Sequence, residues 1–158
     1  MSAESESLRS LLERRALYDL VLRYAQSVDR REYAAVGTLF LPDGQIEGYH
    51  GEVAEKELLY RLEGRDGIVA GLRGLDQFEK TFHLVANQLA ELDGDAATGE
   101  TYCMAHHIHR QSGELWNRTM AIRYQERFVR GDGHWFFQRR QLVIDWERDG
   151  PVAQERPT

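Results

Sequence analysis

The run KTFHLVANQLAELDGDAATGETYCMAHHIHR, residues 80–110, decides the fold. Two strand-like segments flank DGD (93–95), a hairpin turn signature, so the run reads as a β-hairpin. The pattern then repeats. SGE (112–114) turns the chain into LWNRTMAIRYQERFVR, and GDG (131–133) turns it into HWFFQRRQLVIDWER. Four long strands joined by three short turns predict an antiparallel meander.

Upstream of this meander the hydrophobic period changes. Leu8, Leu11, Leu12, Ala16, Leu20, Val21, Tyr24, Ala25 and Val28 recur at steps of three and four, which predicts an amphipathic helix. A tight corner at Asp29-Arg30 leads to a second short helix, roughly 31–39. LPDG (41–44) is a turn signal, followed by a short strand, about 45–49. Residues 52–63 read as a helix burying Val53, Leu58, Leu59 and Leu62, and residues 64–77 as an irregular loop or short helix. Helices first and strands afterwards is the α+β pattern, solved by a curved antiparallel sheet wrapped around the first helix. The expected organisation is a disordered N-terminus over 1–7, one domain over 8–147 and a loose tail over 148–158.

The 158 residues suffice for one domain with a sizeable core. A formal charge of −6 with no basic stripe argues against nucleic acid as a partner. One cysteine, Cys103, forbids an intrachain disulfide and suits a reducing compartment. The N-terminal MSAESESLRSLLERR lacks the apolar segment of a secretory signal, and no apolar run is long enough to span a membrane. A cytoplasmic location is expected.

Four features could carry chemistry. Asp29 falls on the apolar stripe of helix 1, either capping the next helix or held inside against a partner. His83 shares a strand face with Val85, Asn87 and Leu89. A strand histidine is commonly a satisfied core residue, but an aspartate beside it would fix its tautomer and make it a general base. AHHIH (105–109) puts His107 on a face with Thr101, Cys103, Ala105 and His109, while His106 faces the other way with Tyr102 and Met104. His107 and His109 could chelate, yet no acidic ligand or zinc spacing accompanies them, so no metal is expected. Arg123 and Arg140 sit inside apolar strands, where an arginine needs an anion. Arg140 shares its strand face with Phe136, Leu142, Ile144 and Trp146.

Taken together, RYAQSVDRREY (23–33), FHLVANQ (82–88), GDAATGETYCMAHH (94–107) and IRYQERFVRGDGHWFFQRRQLVIDW (122–146) resemble the SnoaL-like branch of the nuclear transport factor 2-like superfamily, over about residues 8–147. The resemblance implies a cone-shaped α+β barrel closing an apolar pocket. It looks closest to the group of scytalone dehydratase, hexachlorocyclohexane dehydrochlorinase and bile acid 7α-dehydratase. That likeness implies that His83 abstracts a proton and Asp29 orients it, with no cofactor. Tyr24 would be an acid or hydrogen-bond donor, Arg140 would help a leaving anion, and His107 corresponds to a second pocket histidine. Asn87, Arg123 and Trp146 would complete the substrate-binding set. Val28 stands where scytalone dehydratase has a tyrosine, and no acid lies near 105–107, so the leaving-group machinery matches none of the three. The expected function is a lyase or isomerase acting on a small, apolar, cyclic molecule. The alternative is a non-catalytic module of the same fold that binds a hydrophobic ligand or associates. Self-association as a homotrimer or homodimer fits either.

Overall fold

A computed structural model describes residues 3–51 and 57–152. Helix α1 (Ala3–Asp29) and helix α2 (Tyr33–Thr38) precede strands β1 (Phe40–His50) and β2 (Glu57–Glu63). Helix α3 (Gly64–Leu72) and a 3-10 turn (Arg73–Gln77) follow. The meander is then β3 (Lys80–Asp93), β4 (Ala96–Gln111), β5 (Glu114–Gly131) and β6 (His134–Pro151). The sheet order is β2-β1-β6-β5-β4-β3, so it is open, with β2 and β3 as edges. This is the α+β arrangement expected of helices wrapped by one sheet.

Several sequence expectations need correction. The segment read as a helix over 52–63 is strand β2 from Glu57 onward; residues 52–56, including Val53, lie outside the described residues. Its leucine spacing mimics a helix, but β2 pairs antiparallel with β1 and is tied down by Arg61, which bonds the buried Glu47 of β1 at 2.8 Å. The Tyr60 ring lies against Gly48, in space that any Cβ there would occupy. The sheet is mixed, because β1 runs parallel to β6. No hairpin joins these two strands, so nothing local forces them antiparallel. Helix α1 starts at Ala3, ahead of Leu8, and its first apolar residues Leu8, Leu11 and Leu12 are exposed. Strand β6 continues to Pro151, into the segment read as a tail.

The core lies between α1 and the inner face of the sheet. Leu17, Leu20, Val21, Tyr24, Ala25 and Val28 of α1 are buried, as the three- and four-residue period requires. Phe40, Phe128 and Phe137 stack at centroid distances of 5.0 and 5.3 Å and close one end of the core. Glu13 pins α1 to the β5–β6 hairpin by accepting from Trp135 Nε1 at 2.7 Å and pairing with Arg130 at 2.8 Å. Among the described residues no helix is long and apolar enough to cross a membrane.

Candidate active site

Helix α1 ends in a tight reversal. Glu32 N–H donates to Ser27 O at 2.9 Å and Arg31 N–H to Val28 O at 3.0 Å, the paired bonds of a Schellman closure. Glycine usually fills the left-handed position of this motif, but here it is Arg31, with φ 62°. That conformation costs on the order of 1–3 kcal/mol for a residue with a side chain. It throws the guanidinium across to the start of β3, where Nη1 donates to Thr81 Oγ1 at 2.7 Å and Nη2 to Phe78 O at 3.2 Å. Thr81 in turn donates to Asp29 Oδ1 at 2.9 Å.

Asp29 is therefore held by β3 rather than capping α2, whose N-cap is Glu32. Its Oδ1 lies 2.6 Å from His83 Nδ1, and its Oδ2 accepts the His83 backbone N–H at 2.9 Å. Burial pushes the Asp29 carboxyl up, but the bonds from His83 and Thr81 outweigh it and hold it below its ordinary value. An ionised Asp29 fixes the proton of a neutral His83 on Nδ1 and leaves the lone pair on Nε2.

His83 borders a cavity of about 450 Å³. Val28, Ile122, Leu142 and Ile144 make its walls apolar, and Tyr24, Tyr124, His107 and Arg118 supply polar groups. Such a volume suits a small organic molecule. His107, on the inner face of β4, has its ring 5.6 Å from that of His83 and 4.6 Å from that of Phe78. Burial, reinforced by His83 when that ring is protonated and by the charges of Arg118 and Arg31, lowers its pKa to about 4. It is neutral near pH 7, and its buried Nε2 has no hydrogen-bond partner. His106 faces the other way, with Nδ1 3.0 Å from Asn117 Nδ2. His109 turns to Asp149 at 3.4 Å, away from a shared site with His107. Among the described residues no group of three or more His, Cys, Asp or Glu is placed to hold a metal ion.

Because His107 is held neutral when folded, its contribution to stability is present above pH 6.5 and is lost as pH falls through about 4. The expected result is that wild type loses stability relative to His107→Gln across that window. Thermal melts of both proteins check it; a constant difference would contradict it.

Arg140 is fully buried, but it lies behind the cavity wall. Its guanidinium stacks 4.1 Å from the Tyr24 ring and 3.8 Å from the Tyr124 ring, and both tyrosines face the cavity. It acts on a bound molecule only through them. Burial raises the Tyr24 pKa and Arg140 partly offsets this, so the phenol stays neutral and can donate. Arg140 Nη2 is 3.3 Å from Glu126 Oε1, and both side chains are fully buried. Burial pushes Glu126 up to about 7, against the opposing pull of Arg140 and of Thr101, which donates to it at 2.7 Å.

Three residues of the expected substrate-binding set lie elsewhere. Asn87 sits on a β-bulge of β3 with φ 49° and is exposed. The bulge reverses the alternation, so Ala90 and Leu92 rather than Leu89 turn inward. Trp146 is carried outward by a second bulge, where Ile144 pairs with Ile122 but Trp146 with Ala121. Arg123 occupies the outer face of β5 and grips Asp145 through two bonds of 2.7 and 2.6 Å. The inner face of that strand is the even one: Arg118, Met120, Ile122, Tyr124, Glu126 and Phe128. The apolar members of that series mark the face, and reading it would have found Glu126 and Arg118.

The chain matches the SnoaL-like domain family over residues 9–141. No curated protein matches it. Among solved structures, a hexachlorocyclohexane dehydrochlorinase from Novosphingobium barchaimii is similar, with TM-score 0.76 and 17% identity over 96% of this chain and 99% of that one. A provisionally assigned scytalone dehydratase from Novosphingobium aromaticivorans gives TM-score 0.73 and 24% identity over 94% of each chain. The β subunit of a provisionally assigned aromatic-ring-hydroxylating dioxygenase from the same organism gives TM-score 0.73 and 18% identity over 88% of this chain and 93% of that one. At these identities the likenesses speak for the fold, which hosts both lyases and a subunit of a larger enzyme.

Proposed function

The chain belongs to the SnoaL-like domain family, and from that premise we propose that it is a cofactor-independent lyase or isomerase acting on a small, largely apolar, cyclic molecule. The observation that carries this reading is the 2.6 Å contact of His83 Nδ1 with an ionised Asp29, on the border of an apolar cavity. Neutral His83 takes a proton from a substrate carbon through Nε2, and Asp29 stabilises the imidazolium that forms. Tyr24 and neutral His107 donate hydrogen bonds to the oxygen or leaving group on which negative charge develops. Arg140 positions Tyr24 by stacking behind it. The activities for which the dehydrochlorinase and dehydratase neighbours are named agree with proton abstraction of this kind. The test is a screen of dehydration, dehydrohalogenation and isomerisation substrates with wild type beside His83→Ala. Equal turnover by a folded His83→Ala protein would leave only the binding-module reading, which the dioxygenase β subunit neighbour favours.

The proposal extends to self-association through the outer sheet face. Trp146, Ala121, Met104 and Leu84 are aligned across β6 to β3, and Trp146 and Leu84 are each more than half exposed. Phe82 and Tyr102 flank this row and are exposed too. An apolar row of that extent is the mark of a covered surface. Light scattering is expected to give a dimer or trimer mass that Leu84→Glu reduces to a monomer; a monomeric wild type would contradict it.

A further inference from the structure

We infer that the site takes a ring-bearing organic carboxylate, whose anionic head is held by Arg118 at the cavity rim while its apolar body fills the interior. The inference rests on the proposed function for the reaction, but not for binding.

Arg118 lies on the inner face of β5, lines the cavity and is exposed. Among the described residues it has no carboxylate partner within ion-pair distance, and the neighbouring charges are engaged elsewhere. Asp149, its cross-strand partner on β6, is 3.4 Å from His109. Glu79 is taken by Arg110 at 2.6 Å. No Asp or Glu lines the cavity itself. An unpartnered cation at the rim of an acid-free apolar cavity favours an anionic ligand over a neutral one of the same shape.

A second group points to the same ligand. His107 is the cross-strand partner of Arg118 on β4, which places their side chains on one face as neighbours. The residue is 7% exposed, and its imidazole lines the cavity and leaves Nε2 without a partner. One carboxylate can satisfy both, with an oxygen on the guanidinium and another accepting from an Nε2–H of the neutral ring. The Arg118 end of this head-group site lies apart from the base, while the His107 ring is 5.6 Å from that of His83. His83 pairs with Ala105 on β4, and Ala105 with Met120 on β5, two residues along from Arg118. Two strand spacings of about 4.8 Å and two residues of about 3.4 Å separate the Cα atoms of His83 and Arg118 by about 12 Å along the sheet.

Isothermal titration calorimetry with 2-naphthoate and the isosteric, uncharged 2-naphthamide tests this at low ionic strength. Wild type is expected to bind the acid about tenfold more tightly than the amide, the worth of one charge-assisted contact. Arg118→Gln is expected to bind the two about equally, and Arg118→Lys to keep part of the preference. Equal affinities in wild type, no binding of 2-naphthoate, or a preference that survives in Arg118→Gln would overturn the inference. Repeating the titrations with His83→Ala separates it from the catalytic reading. An acid preference in that variant, together with full turnover of any substrate found, would sink the base and spare the anion site.

Discussion

Replacing His83 by alanine should lower kcat by a factor of about 10²–10⁴, the usual worth of a positioned general base. The fold should persist. The His83 backbone N–H still donates to Asp29 Oδ2, and Thr81 still donates to Oδ1, so the carboxylate keeps two of its three bonds. Asp29→Asn should be nearly as damaging to turnover for a different reason. An amide can present one oxygen where the carboxylate presents two, and its NH2 must face either the His83 backbone N–H or Nδ1. If it faces Nδ1, it donates there and drives the ring proton to Nε2, the atom that must be bare to accept from carbon. The two variants therefore differ in their response to added imidazole, which can enter the space vacated in His83→Ala but cannot correct the tautomer in Asp29→Asn. Steady-state turnover with and without imidazole, alongside circular dichroism, checks this. Wild-type rates from folded His83→Ala would remove the base from the reaction.

The largest effect on stability is expected at Glu126 and Arg140, because neither side chain touches solvent. Breaking a buried pair by removing one partner costs about 3–5 kcal/mol, and here the cost is unequal between the two. Arg140 cannot shed its proton, so Glu126→Leu leaves a permanent buried cation whose remaining relief is the faces of Tyr24, Tyr124 and Phe137. Glu126 can escape by protonation, since its carboxyl already stands at about 7. Arg140→Met should thus be the milder variant at pH 5 and should worsen towards pH 8. Glu126→Leu should lower Tm by on the order of 10 °C, given about 2–4 °C per kcal/mol for a domain of this size. Adding Arg140→Met to Glu126→Leu should restore part of that loss, the signature of coupling in a double-mutant cycle. A double variant that is simply the sum of the singles would refute the pairing.

The same carboxyl shapes the pH profile of wild type. A raised acid contributes stability that is full below its unfolded value near 4.5 and is lost as pH rises through about 7. His107 acts in the opposite sense, losing its contribution as pH falls from 6.5 through about 4. The two offset each other over the shared window, so their titrations are best seen in the single variants rather than in wild type.

Much of this architecture can be read from local residue chemistry. The three turns of the meander carry Gly94, Gly113 and Gly133, all at positive φ, and Ser112 and Asp132 join the last two in the left-handed region that a tight hairpin demands. Alternation within β4 brings His107 and Cys103 to the inner face, and the helical stripe brings Asp29 to the same side as the core. What local pattern does not carry is long-range. Strand β2 exists because β1 offers an edge, and its Leu58, Leu59 and Leu62 spacing fits a helix equally well without that partner. Bulges at 86–89 and 144–146 reset the alternation with no compositional mark, which is why Asn87 and Trp146 fall outside the site. The depth of Arg140, behind two tyrosines rather than between them and the ligand, depends on how three strands and α1 meet.

The proposed base depends on a hydrogen bond between His83 and Asp29, and a low-field proton NMR spectrum reads that bond directly. A 2.6 Å contact to a carboxylate should give the Nδ1 proton a resonance well downfield of the amide region. One such signal is expected in wild type, absent in His83→Ala and shifted upfield or lost in Asp29→Asn. A signal that survives unchanged in Asp29→Asn, or that wild type lacks, would contradict it and leave the cavity without its base.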